Sequence, residues 1–183
     1  MRLFLDYGYK FTSEKTFLLT SGKTSNYYID SKTVLSFPQA KIAVGNIIYN
    51  CIKNLPISAI GGLTHGADPI AEATSIVAHQ KGKELRTFFV RKRPKEHGLK
   101  KWIEGYCEPR KKIIIVDDVV TTGESTITAI EKAKKEGMRI EKVIVLIDRL
   151  EGGREKIEET DCQFKSIFTI DDLQGRYERH NFA

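Results

Sequence analysis

The run Ile113-Ile114-Ile115-Val116-Asp117-Asp118-Val119-Val120-Thr121-Thr122-Gly123-Glu124-Ser125 changes character halfway along. Its first part is an unbroken apolar series of β-branched residues, the pattern of a strand buried on both faces. Two adjacent carboxylates interrupt it, and small hydroxyl-bearing residues and a glycine follow. Beyond Ser125, Ile127, Ile130 and Ala133 recur at helical spacing, with Lys132, Lys134 and Lys135 on the other face. The Thr-Thr-Gly turn therefore sits between the carboxyl end of a strand and the amino end of a helix, where free N–H groups bind anions.

The same order recurs to either side. Ile57 to Ile60 reads as a short buried strand ending in Gly61-Gly62-Leu63-Thr64-His65-Gly66, after which Asp68 and Pro69 cap and start a helix through about His79. Leu85 to Val90 is the next strand. Gly137 ends the helix that follows the central strand, and Val143 to Asp148 forms another buried strand finishing at Asp148-Arg149. Phe164 to Phe168 predicts a last edge strand before a helical tail. Upstream, Val44, Ile47, Ile48, Cys51, Ile52 and Leu55 mark a helix capped by Ser36 with Pro38 in its first turn. Met1 to Lys15 has no clear period and predicts only a short helical or capping segment. The turn-rich Ser21 to Asn26 lies between Thr16–Leu19 and Tyr27–Asp30, which predicts a hairpin outside the main sheet. Strands alternating with helices predict an α/β, doubly wound, mainly parallel sheet that binds ligands at its strands' carboxyl ends. The length of 183 residues suits a single domain over 1–183, with residues 1–36 as a small amino-terminal hood.

Charged residues make up 30% and apolar residues 40%, with no run long enough for a bilayer and no leader pattern, so a soluble, cytoplasmic protein is expected. Three cysteines without paired metal-ligand spacing fit a reducing compartment. The net charge of +6 is concentrated: Arg91 to Lys101 holds six basic residues and one acid, a local +5. Such a segment is either a flexible basic arm or a loop that meets a polyanion, and a solvated face is its plainer explanation.

If the sheet is parallel, the Gly61 loop, the Asp117-Asp118 turn and Arg149 emerge on one edge. Asp117 and Asp118 could accept hydrogen bonds from ribose hydroxyls or help hold Mg²⁺, while Thr121, Thr122, Gly123, Glu124 and Ser125 surround a phosphate. A lone Asp-Asp is otherwise a solvated strand end, and Arg149 otherwise a strand-end ion pair. The chain has neither Gly-x-x-x-x-Gly-Lys nor Gly-x-Gly-x-x-Gly.

Val116-Asp117-Asp118-Val119-Val120-Thr121-Thr122-Gly123 resembles the phosphoribosyl-diphosphate signature of type I phosphoribosyltransferases. Residues from Leu19 to Asp30, from Phe89 to Gly98, Trp102 to Gly105, and Asp148-Arg149 are similar to segments of orotate phosphoribosyltransferases, in register over about residues 16 to 155. The resemblance implies transfer of ribose 5-phosphate from 5-phosphoribosyl 1-diphosphate to orotate with Mg²⁺. It also implies a homodimer in which the flexible loop of residues 91–105 reaches the neighbouring site, and no nucleic-acid or membrane partner. By the same carry-over, Arg91, Lys92, Lys95 and His97 contact pyrophosphate, with Lys95, His97, Asp117 and Asp118 as the catalytic set. Asp117, Asp118, Val119, Val120 and the residues through Ser125 hold ribose and its phosphate. Thr121 and Arg149 face orotate, and Tyr28 and Ile29 line its pocket. His65 and Thr20 depart from the family pattern, since some members carry lysine at both places, and the amino-terminal segment is short. Two other functions compete: a phosphoribosyltransferase for another base, and a phosphoribosyl-diphosphate sensor that binds nucleic acid through Arg91 to Lys101.

Overall fold

The computed structural model describes residues 1–14, 17–18, 24–94 and 101–181. The amino-terminal segment forms a π-helical turn over Phe4–Gly8, then strands β1 (Tyr9–Phe11), β2 (Phe17–Leu18), β3 (Thr24–Ser25) and β4 (Tyr27–Ile29). β4 pairs antiparallel with β1, while β2 pairs with β3. This corrects the expected hairpin between Thr16–Leu19 and Tyr27–Asp30. The apolar face of β4 is covered by the first residues of the chain instead: Tyr9 and Ile29 lie opposite each other and both are buried. Residues 19–23 of the expected turn lie outside the described residues.

Asp30, at the end of β4, caps helix α1 (Ser31–Ser36) by accepting the Thr33 N–H at 3.0 Å. Ser36 thus closes one helix and does not cap the next. Phe37 occupies the N-cap of α2 (Pro38–Ile52), with Pro38 in the first turn where its missing N–H costs nothing. The remaining elements alternate: β5 (Ala59–Leu63), α3 (Asp68–Gln80), β6 (Arg86–Val90), β7 (Ile103–Gly105), β8 (Lys112–Val120), α4 (Glu124–Lys135), β9 (Arg139–Asp148), α5 (Gly153–Glu158), β10 (Phe164–Thr169) and α6 (Ile170–Asn181).

These strands build one sheet in the order β10-β9-β8-β5-β6-β7, parallel throughout except where β7 runs antiparallel to β6. Successive residues of the central strands feed two cores, as the period of two requires. Ile60, Ile114, Val116, Ile144 and Leu146 pack with Ile48, Ile52 and Ile70. Their neighbours Ala59, Ile113, Ile115, Val143 and Val145 pack with Ile130, Ala133 and Ile157. Each fully buried Ile contributes roughly 1.5–3 kcal/mol, so both faces of the apolar run stabilise the fold. β8 continues past its carboxylates to Val120 because β9 goes on pairing, with Asp117 opposite Val145 and Val120 opposite Asp148.

The chain leaves β5 toward β6 on one side and β8 toward β9 on the other, although β5 and β8 are neighbours. A crevice opens where connections diverge in this way, at the carboxyl ends of those two strands. The loop after Leu63 and the Asp117-Asp118 pair flank it. Among the described residues no helix is long and apolar enough to cross a membrane.

Candidate active site

Asp117 is buried, and its Oδ2 accepts the Thr126 hydroxyl at 2.8 Å from α4. Asp118 is half-buried, and its Oδ2 accepts the Ser31 hydroxyl from α1. Their other oxygens are also engaged: Asp117 Oδ1 accepts the Asp118 N–H at 3.0 Å, and Asp118 Oδ1 accepts the Val119 N–H at 2.9 Å. Burial, and then the adjacent Asp118 charge, push the Asp117 carboxyl up to about 8, with the Thr126 hydrogen bond offsetting part of this. Bound donors or a cation would restore the charged form, so the pair is suited to a ligand that supplies them.

The loop after β5 presses directly on this pair. A Cβ added to Gly66 would collide with Asp118 Oδ1 and lie 2.9 Å from Asp117 Oδ1. His65, beside it, is exposed, with Nδ1 3.4 Å from Asp68 Oδ2, and its peptide bond to Thr64 is cis. Burial raises the Asp68 carboxyl, and His65 partly offsets that.

Residues 121–125 form the turn expected from the sequence. Gly123 takes φ +83° at the N-cap of α4, and no side chain caps that helix, so its first N–H groups are left to face a ligand. A cavity of about 270 Å³ opens there, lined by Asp117 and by residues 119–126. The turn rests on Gly153: a Cβ on that residue would collide with Val120 Cγ1 and lie 2.6 Å from Thr121 O.

Arg149 follows β9, and its backbone N–H donates to Val120 O at 3.0 Å, joining it to the end of β8. Its side chain is buried, with Nε 2.8 Å from Glu151 Oε1 and the guanidinium carbon 4.5 Å from the centroid of Tyr27. The residue of β4 against Arg149 is therefore Tyr27. Tyr28 packs its ring 5.8 Å from Phe17, and Ile29 lies in the core.

The basic segment leaves the carboxyl end of β6 and returns through β7, so both of its ends are anchored at the edge that carries the site. The Arg91 N–H donates to Trp102 O at 2.9 Å, and Arg91 Nη1 lies 3.4 Å from Glu104 Oε1. Lys132 Nζ sits 3.6 Å from the Trp102 ring centroid, tying the foot of the segment to α4. Lys92 is exposed. Lys95 and His97 lie outside the described residues.

Residues 30–174 match the family model of the phosphoribosyl transferase domain. The orotate phosphoribosyltransferase of Aquifex aeolicus is 39% identical over 164 residues, covering 90% of this chain and 90% of that protein. This chain belongs to the orotate phosphoribosyltransferase family. Among solved structures, the Mycobacterium tuberculosis H37Rv family member in complex with Fe(III) dicitrate superposes with a TM-score of 0.81 at 30% identity, over 94% of this chain and 95% of that one. The same M. tuberculosis protein in complex with 5-phospho-α-D-ribosyl 1-diphosphate gives a TM-score of 0.75 at 28% identity, again over 94% and 95%.

Within the family frame, the fold brings Asp117, Asp118, residues 119–125 and Arg149 to one edge. Ser31, Gly66, Thr126, Gly153, Tyr27 and Glu151 complete the surroundings without having been singled out beforehand. Gly152-Gly153, four positions beyond Asp148-Arg149, was the one available signal, since paired glycines beside a strand end often mark a close backbone approach.

Proposed function

We propose that the protein transfers the ribose 5-phosphate group of 5-phosphoribosyl 1-diphosphate to orotate, releasing pyrophosphate and forming orotidine 5′-monophosphate for pyrimidine nucleotide synthesis. One observation carries this: an uncapped helix end and two carboxylates stand at the carboxyl end of β8, joined there by the backbone of a buried arginine, Arg149, whose Nη2 has no hydrogen-bond partner among the described residues. That combination suits a sugar phosphate on one side and a carboxylated base on the other.

The 5-phosphate lies against the N–H groups and hydroxyls of residues 121–125. Asp117 and Asp118 accept hydrogen bonds from the ribose hydroxyls, which fixes the sugar with its anomeric carbon toward the base. Arg149 pairs the orotate carboxylate and holds the ring nitrogen on the opposite side of that carbon. As the C1–O bond breaks, positive charge grows on the sugar and negative charge on pyrophosphate. Arg91, Lys92, Lys95 and His97 supply cations to that leaving group, more strongly in the transition state than before it. A shared-site homodimer, with the basic segment of one subunit serving the other, belongs to the same proposal, as does a reducing cytosol, in keeping with Cys51, Cys107 and Cys162 all being free.

Among the described residues no group of three or more His, Cys, Asp or Glu comes together to hold a metal. The four oxygens of Asp117 and Asp118 already accept protein hydrogen bonds, which fits Mg²⁺ brought in on the diphosphate and touching the protein through one carboxylate at most. When bound, Mg²⁺ neutralises the diphosphate.

Purified protein given orotate, the diphosphate donor and Mg²⁺ is expected to form orotidine 5′-monophosphate; turnover of uracil or a purine with none of orotate would overturn the assignment. Lys95→Ala is expected to lower kcat by at least about tenfold with little change in the KM for orotate, because its partner is the leaving group. An unchanged kcat would remove Lys95 from the catalytic set.

A further inference from the structure

Arg149 carries a permanent charge into a site where its side chain is 5% exposed, so each donor needs an accounting. Glu151 Oε1 takes Nε at 2.8 Å, and the Tyr27 ring covers one guanidinium face. Tyr27 is itself backed by the buried ring of Tyr9, with centroids 6.2 Å apart and planes inclined by 24°. The Nη2 atom is buried and has no partner among the described residues. A buried cationic donor left open in this way is costly unless a ligand completes it.

The turn after β9 is shaped to produce this arrangement. Leu150 adopts a left-handed conformation at φ +57°, its N–H donating to Asp148 Oδ1 at 2.8 Å, and Gly152 follows at φ +85°. The chain therefore folds back so that a carboxylate two positions after Arg149 reaches Nε. Glu151 remains in part accessible, at 24% side-chain exposure. Without it, Nε as well as Nη2 would be left for an anion to complete.

We infer that Glu151 and Tyr27 are positioning residues for Arg149, fixing its guanidinium so that the Nη2 edge is offered to the base, and that this sets selectivity for a carboxylated pyrimidine. The inference rests on the orotate reading above. Glu151 engages Nε, so what the site still lacks is an acceptor for Nη2, which one ligand carboxylate supplies. A pyrimidine without a carboxylate leaves the buried Nη2 unpaired and is rejected for that reason, which is the strong form of specificity available to a polar pocket. Tyr27 restricts rotation out of the plane. Tyr9, through Tyr27, makes the amino-terminal strands part of the base site.

Initial rates with orotate and with uracil, at saturating diphosphate donor and Mg²⁺, test this in the full chain. Glu151→Gln is expected to raise the KM for orotate about tenfold, while the KM for the donor stays within about twofold. The ratio of kcat/KM for orotate over uracil should fall by a similar factor. Tyr27→Leu should act the same way, and Tyr27→Phe, which keeps the ring and loses only the hydroxyl that interacts with Arg149 and Glu151, should fall between the wild type and Tyr27→Leu. If Glu151→Gln and Tyr27→Leu leave the orotate KM and the selectivity ratio unchanged, the inference is overturned while the orotate assignment stands. A parallel rise in both KM values with a falling kcat also overturns it, because that is general damage. Failure of the wild-type protein to use orotate removes the assignment and the inference together.

Discussion

Gly66→Ala is expected to give a folded protein whose kcat/KM for the diphosphate donor has dropped by about a thousandfold, the equivalent of two or more hydrogen bonds to charged groups. The reason lies in what the new methyl group would meet. It would run into Asp118 Oδ1 and press on Asp117 Oδ1 at 2.9 Å. A free carboxylate would swing aside at little cost. These two are pinned, Asp118 by the Ser31 hydroxyl and the Val119 N–H, and Asp117 by the Thr126 hydroxyl and the Asp118 N–H. Making room breaks those bonds and moves the acceptors meant for the ribose. Gly61→Ala supplies the contrast, since its Cβ would collide with Phe88 O and would lie 2.8 Å from Phe88 C, both backbone atoms inside the sheet. That variant is expected not to fold. Circular dichroism and donor kinetics separate the two cases. A Gly66→Ala enzyme with normal donor kinetics would show that the loop after β5 yields freely and that the carboxylate geometry is not fixed by it.

The parts of this site that were legible in the sequence are those whose chemistry is local. A β-branched run, two acids, two threonines, a glycine and a helical period follow one another without a break, so the strand, the turn and the helix end at residues 113–133 could be read directly. Arg149 was legible for the same reason, as a charged residue closing an apolar strand. Contacts between distant segments were not. Ser31 lies 87 positions from the Asp118 it bonds, and nothing in its neighbours signals the pairing. Thr126 is only 9 positions beyond Asp117, yet it looked like an ordinary residue in the first turn of a helix. In β4, adjacent side chains point to opposite faces, and a three-residue strand is too short to state which face is inward, so the packing of Tyr27 against Arg149 could not be read. The same brevity hid β1 and β7, three residues each, which form because a partner strand holds them. The roles of Lys95 and His97 rest on resemblance.

Asp117→Asn is expected to make the protein more stable at neutral and alkaline pH while making it a far poorer enzyme. In the folded chain the Asp117 carboxyl keeps its proton up to about pH 8, against an ordinary value of 3.8. Between those two values the folded state holds a proton that the unfolded state has lost. Stability therefore falls as pH rises through that window and levels off above it, with a slope of at most about 1.4 kcal/mol per pH unit. Asparagine does not titrate, and it can keep the Thr126 bond only by giving up the one from the Asp118 N–H, a smaller cost than burying a charged carboxylate. Urea midpoints measured at pH 5 and pH 8 should separate for the wild-type protein and move much less for the variant. Curves that run parallel would mean that Asp117 is already ionised in the folded state. Donor kinetics should move the other way, with kcat/KM down by about a hundredfold, because a neutral amide offers one acceptor where the sugar and its cation require a charged pair. Adding the donor with Mg²⁺ should flatten the wild-type slope, since a ligand that supplies hydroxyls and positive charge lets Asp117 ionise without penalty. A buried acid that weakens the fold, and that a ligand relieves, is retained for the binding it makes possible and not for packing.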